Sequence, residues 1–292
     1  MADFAEMIPY ERLLSARPVL LWALERQWNA ETARSNGLDF HAKENSSWLV
    51  LDGVASVTHD GRTHHAGPGH WMFPKPGARV QSFSGPFHFL SLTIRWQWPG
   101  GRHLFDEGLT RTLATTEAPW LEPSAIDIIR QVQAITPGSH YHIGRHPVTL
   151  MQAARLFALA GTWAAMFLRA MEHLGVPPDT GLTRDPRVET LLAHLQAEWA
   201  SPMPDRGQLA MAAGVSPRQM DRLIKIATGK TLVENHDQFR YDRICSSLLE
   251  SGLRVKEIAG AADFTNLSSF SRWFAKRAGC SPRAYREHFT GV

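Results

Sequence analysis

Hydrophobic and polar positions change their rhythm along the chain. Between about Asn45 and Trp98 apolar residues come in short runs, SWLVLDG, ASVTHDG and FHFLSLTIRW, rich in β-branched and aromatic side chains. Asp52-Gly53 and Asp60-Gly61 are hairpin signals between the runs. Gly67, Pro68, Gly69, Pro74, Pro76 and Gly77 crowd one span, GPGHWMFPKPGARV. Short strands separated by tight turns predict a small antiparallel barrel or a double-sheet jelly roll.

After Trp98 the spacing lengthens to that of helices. Ser124–Ile135 predicts a short helix with Ser124 as its N-cap. Thr149–Leu174 predicts a long one. Its apolar positions, among them Leu150, Ala154, Phe157, Ala158, Trp163 and Phe167, are spread widely enough to call for burial in its own domain or against a partner chain. Within it the most apolar run, Leu156–Leu168, is interrupted by Gly161 and Thr162 and is too short to span a bilayer. The stretch GVPPDTGLTRDP breaks helices and reads as a linker. The expected division is therefore 1–174, a linker at 175–186, and an all-helical domain at 187–292.

The helical domain writes one pattern twice, about fifty residues apart. Leu209-Ala210 aligns with Ile258-Ala259, Ala213 with Ala262, and Val215 with Phe264. One extra residue then enters the second copy. Beyond it Met220 aligns with Phe270, Arg222 with Arg272, Leu223 with Trp273, Ile224 with Phe274, and Gly229 with Gly279. Each copy reads as a short helix, a turn and a second helix. Gly214 suits a left-handed turn position, Ser216 caps the following helix, and Pro217 takes its first position. Met220, Leu223, Ile224 and Ala227 share one face, which leaves Arg218, Asp221, Arg222 and Lys225 outside it. In the second copy Phe270, Trp273 and Phe274 face inward and Leu267, Ser268, Ser271 and Arg272 outward.

This is the layout of a helix-turn-helix, whose second helix enters the major groove. One such pattern is weak evidence of DNA binding; two at a fixed offset, each with an outward arginine, are much stronger. Leu232–Glu250 between them predicts one helix, about 30 Å long at ~1.5 Å per residue. That length suits major-groove faces about 34 Å apart.

Charge agrees in direction. The net charge is only +3. From Arg184 onward, however, 16 Lys and Arg stand against 12 Asp and Glu, while 15 stand against 16 before it. Such a bias permits nucleic-acid binding without proving it. Cys245 and Cys280 have neither metal-site spacing nor a disulfide framework, which fits a reducing cytoplasm. The acidic, amphipathic start MADFAEMIPYERLL does not read as a signal peptide.

On these residues 187–289 resemble the DNA-binding domain of the AraC family of transcription regulators. The resemblance rests on Leu209-Ala210, Ser216, Met220, Arg222-Leu223-Ile224-Lys225 and Gly229. In the second copy it rests on Glu257-Ile258-Ala259, Phe264, Phe270, Arg272, Phe274, Lys276, Gly279, Ser281-Pro282 and Tyr285-Arg286. It implies DNA contacts from Arg218, Asp221, Arg222, Leu267, Ser268, Ser271 and Arg272. Asp221 could accept from cytosine N4 or disfavour a phosphate, and Leu267 could touch a thymine methyl or complete the fold. The chain departs from the family at Asp263, where glycine is usual in the second turn, at Thr231-Leu232 in place of Ser-Pro, and at Asn235 in place of Tyr. Asp tolerates the left-handed region better than most residues.

The resemblance also implies a multidomain α+β chain, whose N-terminal domain is a cupin-like β-barrel with following helices and whose C-terminal domain carries two helix-turn-helix motifs. Such a barrel binds a small effector, a sugar or related metabolite being candidates, and helps the chain form a homodimer. Double-stranded operator DNA is the implied partner, RNA polymerase is a further candidate, and a membrane is not expected. Aromatic faces and polar groups placed by the barrel pattern give a ligand-binding set of His41, Trp48, His70, Trp71, Arg79, Arg95 and Trp96.

Two enzyme readings compete. A metal-dependent cupin enzyme fused to a DNA anchor needs a histidine and carboxylate constellation. His59, His64, His65, His70 and His88 invite it, yet SWLVLDG lacks the required ligands and His41 and Glu44 have the wrong spacing. A repair methyltransferase needs acceptor cysteines in the N-terminal part, where the chain has none before Cys245. No cofactor, metal or catalytic residue is expected.

Overall fold

A computed structural model describes residues 7–8, 10–29, 39–42, 44–98, 102–137, 143–180, 185–200, 203–250 and 252–290. The chain separates into two compact units. One comprises Met1–Gln97 with His103–Thr180, the other Trp98–Arg102 with Gly181–Val292. The division at Thr180 lies inside the Pro- and Gly-rich stretch 175–186.

The first unit is built on a seven-stranded antiparallel sheet. A short helix α1 (Tyr10–Ser15) precedes β1 (Val19–Trp28), β2 (Asp39–Ala42), β3 (Asn45–His59), β4 (Arg62–Ala66), β5 (His70–Phe73), β6 (Gly77–Arg95) and β7 (Arg111–Ala114). The order is β1-β6-β3-β5-β7, with β2 paired to β6 and β4 to β3. The strand region is longer than the one read from sequence. β1, VLLWALERQW, is missed because its apolar residues do not alternate: it is buried on both faces over much of its length.

The two Asp-Gly pairs part ways. Asp60-Gly61 is the expected hairpin turn, with φ of 49° and 73° joining His59 to Arg62. Asp52-Gly53 is not a hairpin. β3 runs straight through it, and the register against β6 shifts on either side of Asp52. It is a bulge that bends one long strand, with Gly53 at φ 82°. A Cβ there would stand 2.7 Å from the Pro86 carbonyl oxygen and 2.8 Å from that of Ser84.

Alternation along β3 and β5 sorts the large side chains to two faces. Trp48, Val50, Ala55, Val57 and Met72 join Phe83, Phe87 and Phe89 in one cluster, with Trp28 packed against it. Trp71 and Phe73 are fully buried in the opposite direction. They meet α3 (Leu150–His173): Trp71 lies 5.9 Å from Trp163, and Phe73 lies 5.8 Å from Phe167, ring centre to ring centre.

The other long helix of this unit, α2 (Leu121–Ile135), starts three residues before the expected Ser124. Ser124 does not cap it; its hydroxyl donates to the Trp120 carbonyl one turn back. α3 is capped by a reciprocal pair at its start: Thr149 Oγ1 accepts from the Gln152 amide and Gln152 Oε1 accepts from the Thr149 amide.

The wide apolar face expected of α3 is two faces. Leu159, Ala160, Trp163, Ala164, Phe167, Ala170 and Met171 are buried. Leu150, Met151 and Phe157 are 89%, 73% and 60% exposed, and Ala154, Ala158 and Ala165 lie on the same outward side. By length and composition α3 is the one helix among the described residues apolar enough to cross a membrane, although the run 156–168 taken alone is too short. Its inward face is instead committed to the sheet.

The second unit is helical: α4 (Pro186–Ala197), α5 (Arg206–Ala212), α6 (Pro217–Thr228), α7 (Leu232–Glu250), α8 (Val255–Ala261), α9 (Leu267–Ala278) and α10 (Pro282–Thr290). It has two hydrophobic cores. Val188, Leu191, Leu192 and Leu195 of α4 pack with Leu209, Ala210, Met220 and Ile224 in the first. Ile258, Ala259, Ala262, Phe270, Phe274 and Tyr285 form the second. α7 belongs to both: Leu232 and Phe239 enter the first core, and Tyr241, Ile244, Cys245 and Leu248 the second. One continuous helix thus joins the two repeats.

Candidate nucleic-acid interface

Each repeat uses the same turn. In the first, the Gly214 amide donates to Met211 O and the Val215 amide to Ala210 O (3.0 and 2.9 Å). In the second, Asp263 donates to Gly260 O and Phe264 to Ala259 O, both at 3.0 Å. Gly214 has φ 63° and Asp263 φ 57°. The departure at Asp263 therefore keeps the left-handed turn with a residue that tolerates it. The extra residue of the second copy is Thr265, which lies between the turn and the cap. Ser216 caps α6 one residue after Val215, whereas Asn266 caps α9 two residues after Phe264.

These caps fix where the second helices begin. Ser216 Oγ accepts from the Gln219 amide (3.3 Å), Gln219 Oε1 accepts from the Ser216 amide (3.0 Å), and Asn266 Oδ1 accepts from the Ser269 amide (2.8 Å). A cap of this kind is worth about 1 kcal/mol. Met220 and Ile224 anchor α6 inward, as Phe270 and Phe274 anchor α9. Counting from each cap, Arg222 and Arg272 occupy the same outward position, and Ser268 and Ser271 stand where α6 has Arg218 and Asp221.

Exposure follows this register. Arg218, Asp221, Arg222 and Lys225 are exposed on α6, and Leu267, Ser268 and Arg272 on α9. Ser271 is half-buried, further in than the outward position expected of it, because it lies beside the inward Phe270 and Phe274. The arginines of the unit divide into two kinds. Arg240 donates to the Ala262 carbonyl and lies 4.4 Å from the Phe264 ring centre. Arg277 bonds Asp237 (2.7 Å) and lies over Trp273 (4.2 Å). Arg286 donates to the carbonyls of Leu248 and Leu253. These three hold the scaffold, and partial burial lowers the Arg240 and Arg286 pKa values. Arg218, Arg222 and Arg272 make no hydrogen bond or ion pair among the described residues, so their donors face solvent.

Asp221 is engaged. Its Oδ2 accepts from Nη2 of Arg206, the first residue of α5, at 2.5 Å. Arg206 was not singled out from the sequence. The signal available was its place at the head of the helix that carries Leu209-Ala210.

Asn235 and Thr231, two further departures, complete a polar seam between α6 and α7. Asn235 Nδ2 donates to Thr228 Oγ1 (2.9 Å) and to the Thr231 carbonyl (2.8 Å). Buried polar atoms are satisfied there, so both changes serve the scaffold.

The ligand set expected in the first unit does not gather at one place. Trp48 and Arg79 do meet: the Arg79 guanidinium carbon lies 5.4 Å from the Trp48 ring centre, and Arg79 also donates to Lys75 O and Gln81 Oε1. Burial pushes its pKa down to about 9. Trp71 faces the opposite side of the sheet. His70 is exposed and bonded to the Pro68 carbonyl (3.1 Å), Arg95 is paired with Glu44 (3.0 Å), and Trp96 packs on Phe105. The His41 side chain lies outside the described residues. Among the described residues no three His, Cys, Asp or Glu side chains group to hold a metal.

Comparison with known proteins places the helical repeats. Residues 209–288 match the model of a helix-turn-helix domain family. Over 104 residues the chain is 30% identical to the HTH-type transcriptional regulator GlxA of Rhizobium meliloti (strain 1021), a match covering 36% of this chain and 32% of that relative. The chain thus spans about a third of the curated relative's length. Among solved structures, unsaturated fatty acid bound ToxT from Vibrio cholerae strain SCE256 aligns over 94% of this chain and 95% of its own, with TM-score 0.51 and 12% identity. It shows likeness of fold, an N-terminal antiparallel sheet followed by a helical region. A transcriptional regulator with an AraC-type DNA-binding domain from Chromobacterium violaceum aligns over 35% of this chain and 91% of its own, at 23% identity and TM-score 0.33. Residues 209–288 thus form a helix-turn-helix domain similar to that of known transcription regulators.

Proposed function

We propose that this protein is a sequence-specific DNA-binding transcription regulator that reads duplex DNA with both helix pairs, α6 and α9 lying in successive major grooves. The observation that carries the reading is the matched pair Arg222 and Arg272. Each is the sixth residue after its cap, each is exposed, and each is spared the scaffold contacts that occupy Arg240, Arg277 and Arg286. Arg218 adds a third free guanidinium on α6, whereas α9 offers Ser268, with Ser271 deeper. The first head is therefore the stronger reader, and the second combines an arginine with small side chains that allow close approach. α7, about 28 Å long at ~1.5 Å per residue, sets the distance between them.

In this reading the first unit is a cupin-like barrel that senses a small molecule, with the cluster of Trp28, Trp48, Phe83, Phe87 and Phe89 beside Arg79 as its candidate lining. The outward apolar face of α3 joins two copies, and RNA polymerase is a candidate partner at the promoter.

The test uses the full chain and a pool of randomised duplexes of about 30 base pairs, long enough for two major-groove turns. Selection is expected to enrich one motif, bound with an affinity that falls steeply with salt. Arg222→Ala and Arg272→Ala should each cost about 1–3 kcal/mol on the enriched duplex. Unchanged affinity in both variants would sink the assignment of the reading faces.

A further inference from the structure

We infer that Asp221 does not read a base, and that it is a positioning residue which holds the Arg206 guanidinium against the DNA backbone. This rests on the DNA-binding reading above. The outward face of α6 presents three cations and one acid, and an acid on a face that meets a polyanion needs a reason. A carboxylate aimed at a cytosine N4 amine should be open to its target. Here Asp221 Oδ2 is already bonded to Arg206 Nη2 at 2.5 Å, from a helix fifteen residues earlier in the chain.

Stability does not explain the pair. The side chains are 47% and 48% exposed. An exposed ion pair contributes little to stability, and both helices are already fixed by the buried Leu209, Ala210, Met220 and Ile224. What the pair does accomplish is orientation. It neutralises the one acid on the face and pins an otherwise mobile side chain at the edge of α6. A guanidinium has five N–H donors, and the 2.5 Å bond uses one of them. The others remain for a phosphate oxygen, a partner that the planar fork of arginine suits. Phosphate contacts fix the register of the protein on the duplex without carrying sequence information. Arg206 is then a backbone clamp and Asp221 its support, next to the base-reading Arg222.

The experiment compares wild type, Arg206→Ala, Asp221→Asn and the double variant as full chains. Each is put through selection from the same randomised duplex pool, followed by titration of the enriched duplex across a range of salt concentrations. Both sites are exposed, and unchanged melting temperatures will show that the variants fold. Arg206→Ala is expected to bind the wild-type motif more weakly and to lower the salt slope by about 0.9, the value of one lost phosphate contact. Asp221→Asn should also weaken binding while leaving the preference at every base pair intact. In the Arg206→Ala background, Asp221→Asn should cause no further loss beyond the roughly two-fold scatter of additive effects.

Three results would overturn the inference. One is a preference at a single base pair that relaxes in Asp221→Asn and relaxes again in the double variant. Another is an Arg206→Ala protein whose affinity and salt slope match wild type. The third is additive losses in the double variant. Failure of the parent reading looks different: wild type enriches no motif, and Arg222→Ala binds the pool as wild type does.

Discussion

Ile224→Ala tests whether α7 makes one cooperative body of the two repeats. Ile224 is fully buried in the first core, among Leu191, Leu195, Leu209 and Met220. Truncating such a side chain costs about 2–5 kcal/mol, from lost burial and from the cavity left behind. A value of about 3 kcal/mol is apt here, since α6 is fixed by its cap and can only partly collapse onto the gap. At ~1.4 kcal/mol per factor of ten, that is about two decades in an unfolding equilibrium. The question is where those decades appear. α7 contributes Leu232 and Phe239 to the first core and Tyr241, Ile244, Cys245 and Leu248 to the second, so opening the first core should strip α7 from both. Peptide-resolved hydrogen exchange on the full chain measures this. Peptides over 217–228 and over 267–278 should lose protection together, by about the same factor. Loss confined to 217–228, with 267–278 unchanged, would refute the coupling, and with it the claim that α7 holds the two reading helices in a fixed relation.

Gly53→Ala should lower the melting temperature of the first unit far more than Gly61→Ala. Both have positive φ, costing about 1–2 kcal/mol for an added Cβ, but only at Gly53 does that atom also meet two backbone carbonyls, an overpacking cost of about 1–3 kcal/mol more. Equal losses in the two variants would show that the strand bulge is more pliable than its packing implies. Burial, aided by the nearby Arg95, pushes the His103 imidazole down to about 4, against 6.5 when unfolded. The unfolded chain therefore binds the extra proton first, and His103 makes stability fall as pH drops from about 6.5 toward 4, with no effect above that window. His103→Gln should flatten this part of a denaturation-versus-pH curve, and an unaltered slope would assign it to other groups. Phe157→Asp places a charge at the centre of the outward apolar face of α3 and should turn the proposed dimer into a monomer in sedimentation velocity at micromolar concentration. A dimer that persists would move the interface elsewhere.

Much of the helical region was legible because its signals are local. Ser216-Pro217 states where α6 begins. The three- and four-residue spacing of Met220, Leu223, Ile224 and Ala227 states which side faces inward, and the outward positions of Arg218, Asp221, Arg222 and Lys225 follow. α7 was read at its observed ends, Leu232 and Glu250, for the same reason. Strands carry less local information. The same dipeptide, Asp-Gly, is a hairpin at 60–61 and a bulge at 52–53, and the difference lies in whether a long β6 runs alongside to continue the ladder. β1 lacked alternation because both of its faces are covered.

The sequence by itself determined the repeat, its turns, the Ser216 cap of the first copy and the outward arginines, since a helix of known start and period leaves little freedom in which side chains share a face. Only the tertiary structure decided which arginines are spent on the scaffold, that α3 has one face in the core and one in solvent, and that Asp221 is tied to Arg206. Those are contacts between residues distant in the chain, and they depend on how helices and strands pack, which no local spacing encodes.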